Sequence, residues 1–345
     1  MKNSKKTILA WCREVTGAPV SLLSLRVEAS HRVFYRTSGH GDESWVAMSS
    51  PPELENNDQF LALDELFHAN GLGVPKIMHK DLALGYFLME DLGDTHLEDL
   101  YPANDLAGTT GLSDTPLAQE AVIAALDTLQ QLQPLRSELI PPYDQARMTM
   151  EFDLFDEWFL TKLLGCKVTA EQQDLLTSVK HTLITAMLDQ PQACVHRDYH
   201  CRNLLYRSRA PAKSIGIVDF QDALYGPALY DPASLLRDCY YTFSEQDIDT
   251  LLKHYLNASS IFSDSDYDLA TIKTWFDLTA MQRQMKAVGI FARLHLRDGK
   301  SSHLEHIPSV LNRIVDLAAS HNDTYALADF LKTLDQPMAD CRHLA

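Results

Sequence analysis

The sequence predicts an α+β protein of two lobes, a small N-terminal lobe rich in antiparallel strands and a larger, mostly helical C-terminal lobe. Three observations predict it. Short β-prone runs crowd the stretch from Val20 to Met89. Beyond Asp94, apolar residues recur almost everywhere at spacings of three and four. The chain is 345 residues long, more than a single core usually fills. The division is expected at residues 1–91 and 92–345, and a cleft between lobes is a favoured place for a ligand.

In chain order, "VSLLSLRVEA", "RVFYRTS" and "SWVAMS" between Val20 and Ser49 read as an antiparallel meander, with "GHGDE" (39–43) as a turn. Phe60, Leu63, Leu66 and Phe67 recur at helical spacing over 58–70, and Gly71, Gly73 and Pro75 follow as stop signals. "YFLM" (86–89) is one more apolar strand, ending in the acidic elbow "EDLGD". Helices are expected over 116–133, 144–163, 169–189, 227–241, 244–257, 267–297 and 303–336. Strand-like pieces at 193–195, 203–206 and 214–218 are expected as two short hairpins within the helical lobe.

Composition narrows the function. The hydrophobic fraction of 46% and charged fraction of 22% are those of a soluble globular protein. A net charge of −17 with no Lys/Arg block disfavours nucleic acid, whose phosphates need a basic surface. No run is long enough to span a membrane or to serve as a signal peptide. The six cysteines are scattered, without metal-ligand spacing, and read as reduced thiols of a cytoplasmic protein. The expected partner is a small molecule, and the chain is expected to act as a monomer.

"CVHRDYHCRNLLY" (194–206) places polar chemistry between apolar runs. Asp198 and Asn203 are separated by four residues, and Asp219 stands just past an apolar strand in "GIVDFQD". A carboxylate and an amide at this spacing, then a second carboxylate after a strand, match the needs of phosphoryl transfer with Mg²⁺ and ATP. One acid takes the substrate proton, and Asn203 and Asp219 offer the hard oxygens that Mg²⁺ prefers. Taken singly, Asp198 and Asp219 read equally well as turn residues at strand ends. It is the order of the whole set that carries the kinase reading.

These motifs resemble the aminoglycoside phosphotransferase and choline kinase branch of the protein-kinase-like fold. Within it the chain is most similar to the anomeric N-acetylmuramate/N-acetylglucosamine kinases of bacterial cell-wall recycling. The resemblance rests on "VAMSSPPE" (46–53), "FLMEDLGD" (87–94), "PPYD" (141–144), "HRDYHCRNLLY", "VDFQDALYGPALYDPASLLRDCY" (218–240) and "QRQMKAVGIFARLHLRDGK" (282–300). It implies Asp198 as catalytic base, Asn203 and Asp219 as metal ligands, and His196 as an organiser of the loop. It makes Asp231 either a brace of that loop or a helix N-cap. Nucleotide contacts are expected from Ser30, His31 and Arg32 and from the elbow Glu90, Asp91 and Leu92. Acceptor contacts are expected from Asp222, Arg237, Gln282 and Arg283, with Arg237 and Arg283 forming a positive wall.

The pattern departs from a protein kinase in two places. The hairpin "EASHRVFYR" contains no glycine, and the strand Val46-Ala47-Met48-Ser49 lacks the phosphate-binding lysine, for whose charge Arg32 or Arg36 would substitute. One alternative is an aminoglycoside- or choline-type kinase, which would need carboxylates or an aromatic cage for a cation where the helical lobe offers arginines and lysines. Another is a catalytically silent nucleotide-binding regulator, against which Asp198, Asn203 and Asp219 argue. "RDGKSS" (297–302) carries the end of a phosphate loop but lacks its first glycine and its preceding strand.

Overall fold

The computed structural model describes residues 5–25, 31–38, 44–102, 111–207, 214–263 and 266–334. Ser30, the turn "GHGDE" and most of the 102–115 loop lie outside these residues. The elements run α1 (Lys5–Thr16), β1 (Ser21–Ser24), β2 (Val33–Ser38), β3 (Trp45–Ser49), α2 (Asn57–Ala69), β4 (Ile77–Asp81), β5 (Tyr86–Glu90) and α3 (Leu97–Leu100). There follow α4 (Pro116–Leu132), α5 (Gln145–Leu154) with a π-helical continuation Phe155–Leu163, α6 (Ala170–Asp189), β6 (Gln192–Val195), β7 (Leu204–Arg207), β8 (Ser214–Ile217) and β9 (Leu224–Pro227). The chain ends in α7 (Tyr230–Leu236), α8 (Glu245–Ala258), α9 (Leu269–Asp298), α10 (Ile307–Ser320) and α11 (Tyr325–Lys332). By packing, the chain divides into one unit of Met1–His96 with Asn203–Gln221 and a second of Leu97–Arg202 with Asp222–Ala345.

The first unit is built on an antiparallel sheet of order β1-β2-β3-β5-β4, with Ala47 opposite Leu88 at the β3–β5 seam. The expected meander is there, with two additions. Helix α1 buries Ile8, Trp11 and Cys12 against Val20, Leu22, Ala47, Tyr86 and Leu88. Strand β4 pairs with β5, although its "IMHKD" is mostly exposed and carries no clean alternation. The β7–β8 hairpin, expected in the helical lobe, belongs to this unit.

Helix α2 ends where expected, with Gly71 in the left-handed region at φ 79°. Gly73 serves a different need. A Cβ there would lie 2.3 Å from the Ile215 carbonyl oxygen, and the Ile217 N–H donates to the Gly73 carbonyl at 2.9 Å. Only glycine lets this loop lie against β8.

Asp64, only 4% exposed on α2, has one carboxylate oxygen without a hydrogen-bond partner among the described residues. Burial raises its pKa from 3.8 to about 7, with Glu65 adding and Lys80 opposing. A raised carboxyl supports the fold fully below its unfolded value, and that support is lost as pH rises through about 7. Asp64→Asn, which mimics the protonated group, should therefore be the more stable form at about pH 8, by at least about 1 kcal/mol, with no advantage at about pH 4. Urea denaturation at both pH values checks this; the same difference at both would remove the titration as its cause.

The second unit is a helical assembly around α9, which packs against α5 and its π-helical extension, α6, α7 and α10. The β6–β9 pair is antiparallel, with Val195 opposite Leu224. Two sequence expectations are corrected in this unit. Helix α7 is half the expected length, because residues 237–241 leave the helix and Asp238 turns to bond backbone amides. The expected helix 303–336 is broken into a short 3₁₀ turn, α10 and α11.

The long helix α9 lies close against its neighbour at Gly289. A Cβ there would meet the Leu154 carbonyl carbon at 2.4 Å and the Phe155 nitrogen at 2.7 Å, where α5 passes into the π-helix. Backbone cannot move aside as a side-chain tip can. Gly289→Ala should cost about 3 kcal/mol and lower Tm by several degrees. A Tm within about a degree of the wild type would show that the helices separate without cost.

Candidate active site

The loop His196–Arg202 leaves β6 inside the second unit and is held along its whole length. Its first grip is Asp231, which is fully buried in the first turn of α7. One Asp231 oxygen accepts from the His196 N–H at 2.7 Å and the other from the Arg197 N–H at 3.0 Å. Asp231 is thus the brace; the N-cap position of α7 is Leu229. Burial raises its pKa to about 6, against the pull of His196 and the two amides. The bonds are needed because Arg197 sits at φ 77°, a conformation that non-glycine residues adopt at a cost.

The Arg197 side chain is the second grip. It donates to the carboxylate of Glu151 on α5 and to the Asp222 carbonyl at 3.3 Å. Downstream, buried Asp238 accepts from the Cys201 N–H at 2.9 Å. Arg202 forks onto Glu98 at 2.8 and 2.9 Å and lies over the Tyr240 ring at 3.6 Å from its centroid. His196 is buried edge-on to Tyr199, as an organiser of the loop would be.

Asp198 is half-buried between these grips. Burial alone would raise its pKa, but Lys286, Arg197, His200 and Arg283 outweigh it and hold the carboxyl well below the usual carboxylate range. The carboxylate is therefore ionised and able to accept a proton across the neutral range.

In the first unit, Asn203 and Asp219 stand at matching ends of the β7–β8 hairpin. Leu204 pairs with Ile217, and the Val218 N–H donates to the Asn203 carbonyl at 3.1 Å. Asp219 is exposed at φ 66°, and its carboxylate accepts from the Gln221 amide at 2.7 Å. Its successor Phe220 is buried, stacked on Phe60 at 5.3 Å and edge-on to Phe67 at 5.6 Å, so α2 anchors the strand end that presents Asp219. An amide and a carboxylate fit Mg²⁺, which takes one or two protein oxygens and completes its shell with phosphate and water.

The remaining candidates are distributed as follows. His31 is exposed, and Ser30 lies outside the described residues. Arg32 is buried, bonded to the Ser50 hydroxyl at 3.2 Å, paired with Glu55 at 3.5 Å and set over the Phe60 ring. Arg36 forks onto Asp91 at 2.6 and 3.0 Å and also bonds the Gly93 carbonyl at 2.7 Å. Its charge is thus compensated by the elbow rather than held for a phosphate. Glu90 pairs with Arg207 at 2.6 Å, and buried Leu92 packs against Gly216.

Among the expected acceptor contacts, Arg237 needs correction as a positive wall. It is bound by Glu245 at 2.8 and 3.0 Å and by Asp277 at 2.8 Å, so two carboxylates already offset its charge. Asp222 is exposed and uses its carbonyl on Arg197. Gln282 is 0% exposed, and neither of its amide atoms has a partner among the described residues. Arg283 is buried, bonded only weakly to the Cys239 sulfur at 3.7 Å. Burial opposes its charge, and Cys239, Asp238, Tyr230 and Asp198 more than restore it.

The sequence reading missed Glu151, Asp238 and Glu98 and left Lys286 unassigned. Glu151 and Lys286 sit on amphipathic helices where charge normally faces solvent, so periodicity alone gives no signal for them.

The fold is similar to that of solved kinase structures. The choline kinase LicA from Streptococcus pneumoniae superposes with a TM-score of 0.60 at 14% identity, over 90% of this chain and 99% of that one. The ADP-bound aminoglycoside phosphotransferase APH(2'')-Ib gives a TM-score of 0.57 at 12% identity, over 90% of this chain and 98% of that one. These likenesses establish the kinase-like fold. Residues 21–269 match the phosphotransferase enzyme family, and the chain belongs to it. Similar along most of its length are two proteins named N-acetylmuramate/N-acetylglucosamine kinase. The one from Neisseria meningitidis is 33% identical over 83% of this chain and 82% of its own, and the one from Pseudomonas aeruginosa 32% over 92% and 90%. No helix among the described residues is long and apolar enough to cross a membrane.

Proposed function

We propose that the protein is an ATP- and Mg²⁺-dependent kinase that phosphorylates the anomeric hydroxyl of N-acetylmuramate and N-acetylglucosamine. The observation that carries this reading is the similarity to kinases of that name over 83% and 92% of the chain. The chemistry of Asp198 supports it. A carboxylate held this far down is a weak base, and the anomeric hydroxyl, acidified by the ring oxygen, asks less of a base than an ordinary alcohol does.

In this mechanism Asp198 accepts a hydrogen bond from the C1 hydroxyl and takes its proton as the oxygen attacks the γ-phosphorus, whose bond to the β–γ bridging oxygen breaks to release ADP. Asn203 and Asp219 would hold Mg²⁺, which neutralises charge on the phosphates. Asp231 and Glu151 hold the loop so that Asp198 meets the acceptor in one orientation. The elbow after β5 is proposed to receive the adenine. Arg283, to which no carboxylate is bonded among the described residues, is the cation proposed to attract the lactyl carboxylate of N-acetylmuramate. The protein is proposed to be a cytoplasmic monomer of two lobes; the expected division at residues 1–91 and 92–345 moves, by packing, to His96/Leu97, and residues 203–221 join the first unit.

ADP release measured with N-acetylmuramate, N-acetylglucosamine, choline and an aminoglycoside tests the reading. The two amino sugars should turn over and the two cations should not. Arg283→Ala should weaken kcat/KM for N-acetylmuramate more than for N-acetylglucosamine, by about 1 to 3 kcal/mol. Faster turnover of choline or the aminoglycoside would sink the assignment, and equal losses on both sugars would make Arg283 structural.

A further inference from the structure

Four side chains of the second unit close a ring beside the Asp198 loop. Glu151 on α5 accepts from the Tyr143 hydroxyl and pairs with the Lys286 ammonium of α9 at 3.5 Å. Lys286 donates to the Tyr230 hydroxyl of α7 at 2.9 Å. The Tyr230 and Tyr143 rings meet edge to face at 5.4 Å and 74°, which closes the ring. Glu151 reaches out of it to the Arg197 guanidinium, which also lies 5.5 Å from the centre of the Tyr143 ring. One carboxylate therefore joins Lys286 to the residue that precedes Asp198.

All four members are buried. Burying an ammonium and a carboxylate usually costs more than their attraction returns, and apolar side chains of the same size would hold these helices as well or better. Stability is thus a poor reason for the cluster. Its charge suggests a better one. Arg197 and Lys286 are positive and Glu151 negative, so the cluster itself keeps one excess positive charge beside the loop. Asp198, next in the chain to the Arg197 that Glu151 holds, is the carboxylate that fills this place.

The geometry points to Lys286 and Glu151 as positioning residues that hold Asp198, through Arg197, in the orientation the attacking hydroxyl needs. The proposal rests on the reading of Asp198 as the base. Neither residue touches the acceptor on this view, so their loss acts on turnover and is indifferent to which sugar is bound.

The test uses Lys286→Met, Lys286→Arg, Glu151→Gln and Asp198→Asn, with Mg-ATP affinity measured for each as a check on folding. Lys286→Met and Glu151→Gln should each lower kcat on the order of tenfold to a hundredfold, equally for N-acetylmuramate and N-acetylglucosamine, with KM changed little. Lys286→Arg should restore most of the rate. Added to Asp198→Asn, Lys286→Met should cause no further loss, because the group it positions is already gone. Unchanged kcat in Lys286→Met, a loss confined to KM for N-acetylmuramate, or an undiminished loss in the Asp198→Asn background would each overturn the proposal. If Lys286→Met fails to bind Mg-ATP, Glu151→Gln, which keeps the shape of the side chain, decides in the same way. High activity in Asp198→Asn alone would bring down the base reading itself, an outcome separate from the others.

Discussion

Asp198→Asn should bind Mg-ATP about as well as the wild type while turning over at least two orders of magnitude more slowly, roughly the worth of a positioned general base. The substitution keeps the size and most of the polarity of the side chain, so the loop should survive it. What it removes is the proton acceptor and one negative charge. Arg197, Lys286 and Arg283 would then face a neutral amide, and the loop amides would still be held by Asp231 and Asp238. Calorimetry of Mg-ATP binding together with single-turnover rates separates the two effects. A variant that keeps a tenth of the activity would show that Asp198 is not the base. The same result would favour a mechanism in which metal and positioning alone drive the transfer.

Much of this was legible in the chain, for reasons that differ from place to place. The strands of the first unit announce themselves because β2, β3 and β5 are short apolar runs bounded by turn residues. Helix α9 is legible because its apolar spacing runs unbroken to Gly299, which caps it in the left-handed conformation. Helix α1 is hard to read in the sequence because its apolar face, with Ile8, Trp11 and Cys12 buried, follows a basic, polar start and becomes a core against β1, β3 and β5. Strand β9 was passed over because "LYGP" holds a glycine and a proline, both poor strand signals. Its glycine is required: a Cβ on Gly226 would fall 2.8 Å from the Tyr143 Cβ.

The site divides along the same line. Asp198, Asn203 and Asp219 stand out as candidates in the sequence because their spacing is local, set by one loop and one hairpin. The groups that tune them are distant in sequence. Glu151 is 46 residues from Arg197, and Tyr230 is 56 from Lys286. Arg237 was misjudged as a positive wall for the same reason, since a sequence shows a cation without the Glu245 and Asp277 that take up its charge.

The hydroxyl proposed to be phosphorylated is the one on C1, and substrate chemistry can ask this without altering the protein. The 1-O-methyl glycoside of N-acetylglucosamine keeps every ring hydroxyl but the anomeric one. Methylation removes the proton that Asp198 would take and sets a methyl group where the oxygen must approach phosphorus. Coupled ADP release from the wild-type enzyme should therefore proceed with N-acetylglucosamine and fall to the background rate of ATP hydrolysis with its methyl glycoside. Turnover of the methyl glycoside at the rate of the free sugar would mean that another hydroxyl is the acceptor, and the anomeric-kinase reading would be contradicted.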